Sequence, residues 1–461
     1  MVRSERRAFV NPSVGSGIRN YLRDNPLAAA LMFGINLLAA FYLPWYIGLV
    51  VSCCNILIFQ NSIYAMLIFF SLFEIKFYGY FSIYNLISVF YIVVFLIKLI
   101  LGQKRIILCN DIYLYFVLIG IYLFGLFNFL YFFPYPIELF ENILNGILNL
   151  IKVIIGFVLF LDLASATSEQ LKAIFKVMLY CFGFGILALF IYFLTSATTF
   201  SIYSRYTIMG VNNNDFAGRL AVIAPVIMIA LSLKEYRFRT KLLLLASLGL
   251  ALYMILLTGS RTGLVCISLG LLLALCYSSL SLKQKFIAIT SSAVLLYLAL
   301  GYWGQDLMQR TLDSSSLSEL STGRLDIWIA LLRSIANERI FFGYGVGRDT
   351  IKIISGIYGS YSAYDHNIFL AALISFGVVG LGIYAGFVTK PIWFMMRKRF
   401  LDQTYLIPFL MGFAAVISGM FLCWIFEETL LYSVSIALAT ANVLSRHQYT
   451  YQRGDCNQFG M

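Results

Sequence analysis

A succession of long apolar runs constrains the fold of this chain more than any other feature. Of its 461 residues, 61% are hydrophobic and only 12% are charged, and the mean hydropathy is +0.87. A helix needs about 20 apolar residues to cross the hydrocarbon core of a bilayer. Because the runs are continuous rather than alternating, they predict transmembrane helices and not the strands of a membrane barrel.

The runs predict an all-α, polytopic transmembrane bundle of roughly 12–14 spans, forming a single integral membrane domain over residues 1–461. The predicted segments are Leu27–Gln60 (two short spans), Asn61–Phe77, Phe81–Leu101, Ile112–Phe133, Leu148–Leu163, Leu171–Leu194, Arg219–Leu233, Leu242–Leu257, Gly263–Tyr277, Phe286–Tyr302, Asn367–Val388, Tyr405–Cys423 and Thr429–Val443.

The placement of lysine and arginine predicts the orientation of these spans. Basic residues cluster in the N-terminal segment, in the turns near 104, 234–241, 283–285 and 397–399, and in the tail. If all of these are cytoplasmic, the spans alternate without conflict and both termini are cytoplasmic. The net charge of +12 is then a positive-inside signal with contact to anionic lipid, and it does not indicate nucleic-acid binding.

The largest polar segment, residues 304–365, falls on the outward side as a loop between spans. It carries five arginines: Arg310, Arg324, Arg333, Arg339 and Arg348. Ser321 or Thr322 is a candidate N-cap for an amphipathic helix at the membrane surface, with Arg324 in its first turn. The apolar face of that helix is predicted to comprise Leu325, Trp328, Leu332 and Ile335. The bland alternative for Arg324 is a solvated surface arginine.

Glycines follow that helix in Gly343-Tyr344-Gly345-Val346-Gly347-Arg348. We expect a flexible turn here. It resembles a phosphate loop only superficially, because no strand precedes it.

A second outward motif, Thr258-Gly259-Ser260-Arg261-Thr262-Gly263, joins two spans. Its glycines allow close approach of backbone, its hydroxyls and helix-opening N–H groups can donate to an anion, and Arg261 adds a charged fork. The alternative is an arginine that simply reaches the lipid headgroups.

Two further polar stretches lie on the same side. Arg205 precedes a turn-rich stretch in which Asn213 and Asn214 serve either as helix caps or as hydrogen-bonding groups for sugar hydroxyls. In Asp365-His366-Asn367, we expect Asp365 to cap the next span and His366 to lie in its first turn. A neutral histidine there could accept a proton from a hydroxyl, and the alternative is an interfacial histidine without a role.

These groups favour chemistry on a donor that is already activated. The outward face lacks ATP, and the sequence has no metal-ligand cluster, so we expect no cofactor. A lipid-linked diphosphate sugar presented from the membrane fits these conditions. Arg261 and Arg324 could neutralise the departing diphosphate, and His366 could activate the acceptor hydroxyl.

The order of the motifs from Arg205 to Gly380 resembles the bacterial O-antigen polymerase and O-antigen ligase superfamily. The resemblance rests on Arg205, Asn213-Asn214, Thr258–Arg261, Thr322-Gly323-Arg324 with Trp328, Gly343 to Gly347, His366-Asn367 with Leu370, and Phe376-Gly377 with Gly380. It implies a metal-independent glycosyltransferase of the bacterial inner membrane, with a periplasmic active site and an undecaprenyl-diphosphate-linked glycan as substrate.

By this resemblance His366, Arg261 and Arg324 are the expected catalytic residues. The expected substrate-binding residues are Arg205, Asn213, Asn214, Ser260, Thr262, Asn367 and Arg348. The polymerase branch is favoured, with a chain-length regulator as a candidate partner. A ligase that transfers finished polysaccharide to lipid A-core is the alternative. A lipid-linked oligosaccharide flippase is a rival from another class. It predicts ionisable mid-span residues and two related halves, whereas mid-span charges are scarce here and the sequence has no internal repeat.

Overall fold

The computed structural model describes residues 25–72, 76–78, 81–107, 109–132, 139–196, 198–200, 205–207, 213–303, 324–346, 367–397, 403–421 and 428–458. Fifteen α-helices account for most of these residues. The first eight are α1 (Pro26–Tyr42), α2 (Trp45–Ile58), α3 (Ile63–Leu72), α4 (Ile83–Ile100), α5 (Asp111–Phe132), α6 (Leu139–Ala164), α7 (Ser168–Ser196) and α8 (Asn213–Ser232). The others are α9 (Phe238–Thr258), α10 (Arg261–Tyr277), α11 (Leu282–Trp303), α12 (Arg324–Glu338), α13 (Ile368–Arg397), α14 (Leu406–Gly419) and α15 (Glu428–Gln458).

The predicted polytopic helical bundle is confirmed. Six helices are long and apolar enough to cross a membrane, and five further apolar helices of 10–17 residues pack with them among the described residues. Two short antiparallel ribbons interrupt the helical pattern: β1 (Lys76–Tyr78) pairs with β2 (Phe81–Ser82), and β3 (Thr198–Phe200) pairs with β4 (Arg205–Thr207). The run predicted over Asn61–Phe77 is partly wrong, since its helix α3 has only 10 residues.

Glycines bring α8 and α10 together as parallel neighbours. A Cβ atom added to Gly263 would lie 2.5 Å from Cβ of Ala217, and one added to Gly270 would lie 2.4 Å from Cγ of Pro225. Both distances are far below van der Waals contact, so the two helix axes approach this closely only because both positions are glycine. The N-termini of α8 and α10 therefore lie side by side, at what we call the site end of the bundle.

Helix α13 is broken at Gly377, which has φ 69° and ψ −170°. Residues 343–346, which we call the docked segment, pack into this break. The N–H groups of Tyr344 and Gly345 donate to the carbonyls of Ile374 and Ser375 at 2.8 and 3.0 Å. The expected flexible turn is therefore wrong for these residues, because all four are buried.

Two more backbone bonds complete the docking. Val346 N–H donates to the Gly125 carbonyl of α5 at 2.9 Å, and Val378 N–H donates to the Ile340 carbonyl at 2.8 Å. Broken helices are tolerated inside a membrane protein only when the freed backbone groups find partners in the protein. The docked segment and the Ile340 carbonyl supply those partners. Because the Gly343 N–H also donates to the Arg339 carbonyl at 3.0 Å, none of the segment's four N–H groups is available to cradle a phosphate.

Two buried carboxylates of the described helices, Asp162 and Asp111, are held by ion pairs. At the end opposite the site end, the Asp162 carboxylate accepts hydrogen bonds from Tyr64 and Tyr91 at 2.8 and 2.9 Å and lies 2.5 Å from Lys104 Nζ. Asp111 pairs with Lys390. Asp111 is the first residue of α5, and Asp162 lies two residues before the end of α6. These charges therefore do not contradict the expectation that mid-span charges are scarce.

Candidate functional site

The turn between α9 and α10 is held by its own side chains. Gly259 ends α9 with φ 60°, and Ser260 caps α10 by accepting a hydrogen bond from Gly263 N–H at 3.1 Å. The Ser260 hydroxyl also donates to Oδ1 of Asn214 at 2.9 Å. Since Ser260 is fully buried and both accepts and donates within the protein, its observed role is to fix the turn against α8.

The two predicted asparagines open α8 beside this turn. Asn213 is the first residue of α8, and its amide Nδ2 donates to the Thr258 carbonyl at 3.4 Å. Asn214 accepts from Ser260, as described above. Both side chains thus tie the start of α8 to the start of α10, so the partial positive charges of two helix N-termini fall close together.

Arg324 reaches the same turn from α12. Its Nη1 donates to Oγ1 of Thr262 at 3.3 Å and to the carbonyl of Phe421 at 2.9 Å. Only 9% of this residue is exposed, so it is not the solvated surface arginine of the bland alternative. The surface of α12 that packs inward comprises Arg324, Leu331, Ser334 and Ile335. The predicted apolar face was therefore partly wrong, because Leu332 is exposed.

Charges converge around Arg324. Burial lowers the pKa of its guanidinium, the nearby Arg261 lowers this pKa further, and Asp215 in the first turn of α8 raises it. Arg261 is the first residue of α10, and its Nη1 is buried. This region therefore contains two guanidinium groups, one carboxylate and two helix N-termini. Its net charge is positive, which favours binding of an anion.

The start of α13 lies against the same corner of the bundle. Asn367 caps α13, with its Oδ1 accepting from the N–H groups of Phe369 and Leu370 at 3.0 and 3.1 Å. A Cβ atom added to Gly419, at the end of α14, would lie 2.9 Å from Cγ2 of Ile368. Phe421, which binds Arg324, follows two residues later, so the end of α14 joins Arg324 to the start of α13.

The expected capping role of Asp365 is wrong, because Asn367 makes that cap. The first turn of α13 begins at Ile368, so the expected place of His366 in that turn is wrong. His366 and Arg348 themselves lie outside the described residues, as do residues 304–323 and 347–366 of the predicted loop. Arg205 lies in β4, whose backbone packs beside α8 and α9.

Two groups at the site end, the Phe421 carbonyl and Lys152, were missed by the sequence analysis. The Phe421 carbonyl could not be found, because its contact with Arg324 joins positions 97 residues apart. Lys152 of α6 forms an ion pair with Glu428 of α15, with Nζ 2.6 Å from Oε1. Its signal, a single charge within an apolar run, was present in the sequence.

The fold and this corner define a multi-pass helical membrane protein in which two arginines meet two helix N-termini at one end of the bundle. Residues 246–385 match the sequence model of the O-antigen ligase family. Most of the site falls within the match, including Arg261, Thr262, Arg324 and Asn367, whereas Asn213 and Asn214 precede it. No curated protein matches the chain. The match confirms the resemblance to the O-antigen polymerase and ligase superfamily over these residues and supports a role in O-antigen processing in general.

Proposed function

We propose that the protein is a glycosyltransferase of the bacterial inner membrane that polymerises undecaprenyl-diphosphate-linked repeat units at the periplasmic face. The observation that carries this proposal is the convergence of Arg261 and Arg324 on two adjacent helix N-termini. Such a cluster favours binding of a diphosphate and stabilises the charge that develops on it as it departs. The orientation rests on the positive-inside pattern of the sequence.

In the proposed reaction, a hydroxyl oxygen of the acceptor sugar attacks the anomeric carbon of the donor. The bond between that carbon and the diphosphate oxygen breaks, and the undecaprenyl diphosphate leaves with one further negative charge. Arg261 and Arg324 hold that charge without a metal ion. His366 accepts the proton from the attacking hydroxyl, in the role that the resemblance implies for it. Asn213, Asn214, Thr262, Asn367, Arg205 and Arg348 are proposed to surround the substrates.

The ligase reaction is the second candidate, and the name of the matched family favours it. A ligase would use the same donor chemistry but would transfer finished polysaccharide to lipid A-core. A polymerase adds further repeat units and can act with a chain-length regulator. The two reactions share the anion site and differ only in the acceptor.

A deletion strain of the source bacterium tests both candidates, by gel profiling of its surface lipopolysaccharide. Wild type, Arg261→Ala, Arg324→Ala and His366→Ala are restored in turn, with Arg333→Ala as the matched control, because Arg333 lies on the exposed side of α12. Core that carries one repeat unit indicates a polymerase. Bare core with long chains on the lipid carrier indicates a ligase. Full activity of both arginine variants would contradict the proposed diphosphate site.

A further inference from the structure

The ion pair between Lys152 and Glu428 has no part in the diphosphate chemistry. It joins α6 to the first residue of α15, and the side chains are 20% and 9% exposed. Lys152 lies six residues past Gly146, where the apolar span of α6 begins, and thus about 9 Å along the helix. Charges at this depth are costly and mark functional sites.

Within the described part of the chain, the pair leaves hydrogen-bonding capacity unused. An ammonium group has three donors and a carboxylate has two acceptor oxygens, yet the 2.6 Å contact uses one of each. Among the residues that the structure describes, neither group has another hydrogen-bonding partner. Asn149, one turn earlier on the same face of α6, is also partly exposed and without a described partner. A buried ion pair is normally completed by further hydrogen bonds.

Glu428 lies at the height of the anion site. Helices α14 and α15 are antiparallel neighbours, and a Cβ atom added to Gly412 would lie 3.6 Å from the Ser433 carbonyl oxygen. Along α14, Gly419 lies about two turns beyond Gly412. Along α15, Glu428 lies about one and a half turns from Ser433 in the same direction. Gly419 and Glu428 therefore differ in height along the bundle by about 3 Å. Gly419 contacts the start of α13, as described above.

We infer that Lys152, Glu428 and Asn149 form a subsite for hydroxyl groups of an uncharged sugar. The pair is neutral as a whole, so it favours neither an anion nor a cation. Adjacent sugar hydroxyls can accept from the ammonium and donate to the carboxylate, and such charge-assisted hydrogen bonds are strong. The inference rests on the proposed function, since it assigns this subsite to the glycan while the arginines hold the diphosphate.

The test uses the full chain in lipid nanodiscs and two kinds of probe. Saturation-transfer NMR measures binding of neutral sugars (galactose, mannose, N-acetylglucosamine and lactose), and calorimetry measures binding of pyrophosphate. The test variant is the apolar pair Lys152→Met with Glu428→Leu, which strands no buried charge and should fold. The matched control is Lys172→Met with Glu169→Leu, which removes a surface ion pair at the opposite end of the bundle.

We expect the apolar pair at 152 and 428 to keep the wild-type melting temperature and pyrophosphate affinity, and to weaken sugar binding at least about tenfold. The control should change neither binding. Unchanged sugar binding by the test variant, or no sugar signal from intact wild type, overturns the inference. A wild-type protein that does not bind pyrophosphate would instead refute the proposed diphosphate site. If the apolar pair unfolds, Lys152→Gln with Glu428→Gln replaces it, with the same expected loss.

Discussion

The break in α13 provides the sharpest test of how this fold is held together. At Gly377 the backbone has φ 69° and ψ −170°, a region that is essentially restricted to glycine. A Cβ atom there would lie 2.1 Å from the carbonyl carbon and oxygen of Phe341. Because the obstructing atoms are backbone, no side-chain rotation can relieve the clash of a Gly377→Ala substitution.

The expected cost follows from two contributions. The backbone strain is about 1–3 kcal/mol. Relief of the clash must move the Phe341 backbone away by more than 1 Å (roughly, from van der Waals radii) and disrupt the neighbouring bonds from Tyr344, Gly345 and Val378. Loss of two such bonds adds about 2 kcal/mol. We therefore expect Gly377→Ala to lower the free energy of unfolding by about 3–5 kcal/mol.

The same helix offers a matched control. Gly382 is exposed, and a Cβ atom there would meet nothing within 4 Å. Gly382→Ala should stabilise the protein by up to about 1 kcal/mol, because alanine is the better helix former. Unfolding in mixed detergent, followed by circular dichroism, measures both variants. If Gly377→Ala is as stable as Gly382→Ala, the docked segment does not depend on the glycine break and the reasoning is refuted.

Three further predictions concern the two ends of the bundle. Arg324→Lys keeps the charge but loses the guanidinium fork, so polymer formation in the complemented strain should fall at least about tenfold. The control Arg333→Lys should leave polymer formation unchanged. Equal activity of the two variants would contradict the role of the fork. Asp162→Asn should lower the free energy of unfolding by about 2–4 kcal/mol and leave the pyrophosphate affinity, measured by calorimetry, unchanged. A weaker affinity would argue against a purely structural role for the ion pair and hydrogen bonds of Asp162. Gly263→Val should push α10 away from Ala217 of α8 and lower the free energy of unfolding by about 1–3 kcal/mol. It should also weaken pyrophosphate binding. Unchanged binding would show that this binding does not need the close packing of α8 and α10.

The helices themselves were largely predictable from the sequence. The span expected over Leu242–Leu257 is observed as Phe238–Thr258, and the next one, Gly263–Tyr277, is observed as Arg261–Tyr277. Hydropathy identifies such helices because every residue in a continuous apolar run adds to the same signal. Helix ends were also foreseeable where a local residue caps the helix. Gly259 caps the end of α9, and Ser260 caps the start of α10.

The residues that meet at this corner were predictable from the sequence, whereas their contacts were not. Arg261, Arg324 and Asn213 were named from short local motifs, and the structure brings them to one corner. The burial of Arg324 and its bond to Phe421 depend on how α12, α10 and α14 meet, which no local pattern records. Asn367 was expected to bind substrate, yet its side chain caps α13.

The sequence by itself therefore determined that the chain forms a helical membrane bundle and which polar residues lie near the ends of its spans. Both follow from short-range physics, because apolar length and capping chemistry act within a few residues. Only the tertiary structure decided that Gly377 breaks α13 to receive the docked segment, and that Lys152 pairs with Glu428. Those outcomes depend on single hydrogen-bonding groups that find partners in other segments of the chain once water is excluded. A hydropathy average over a window of residues does not record such single groups.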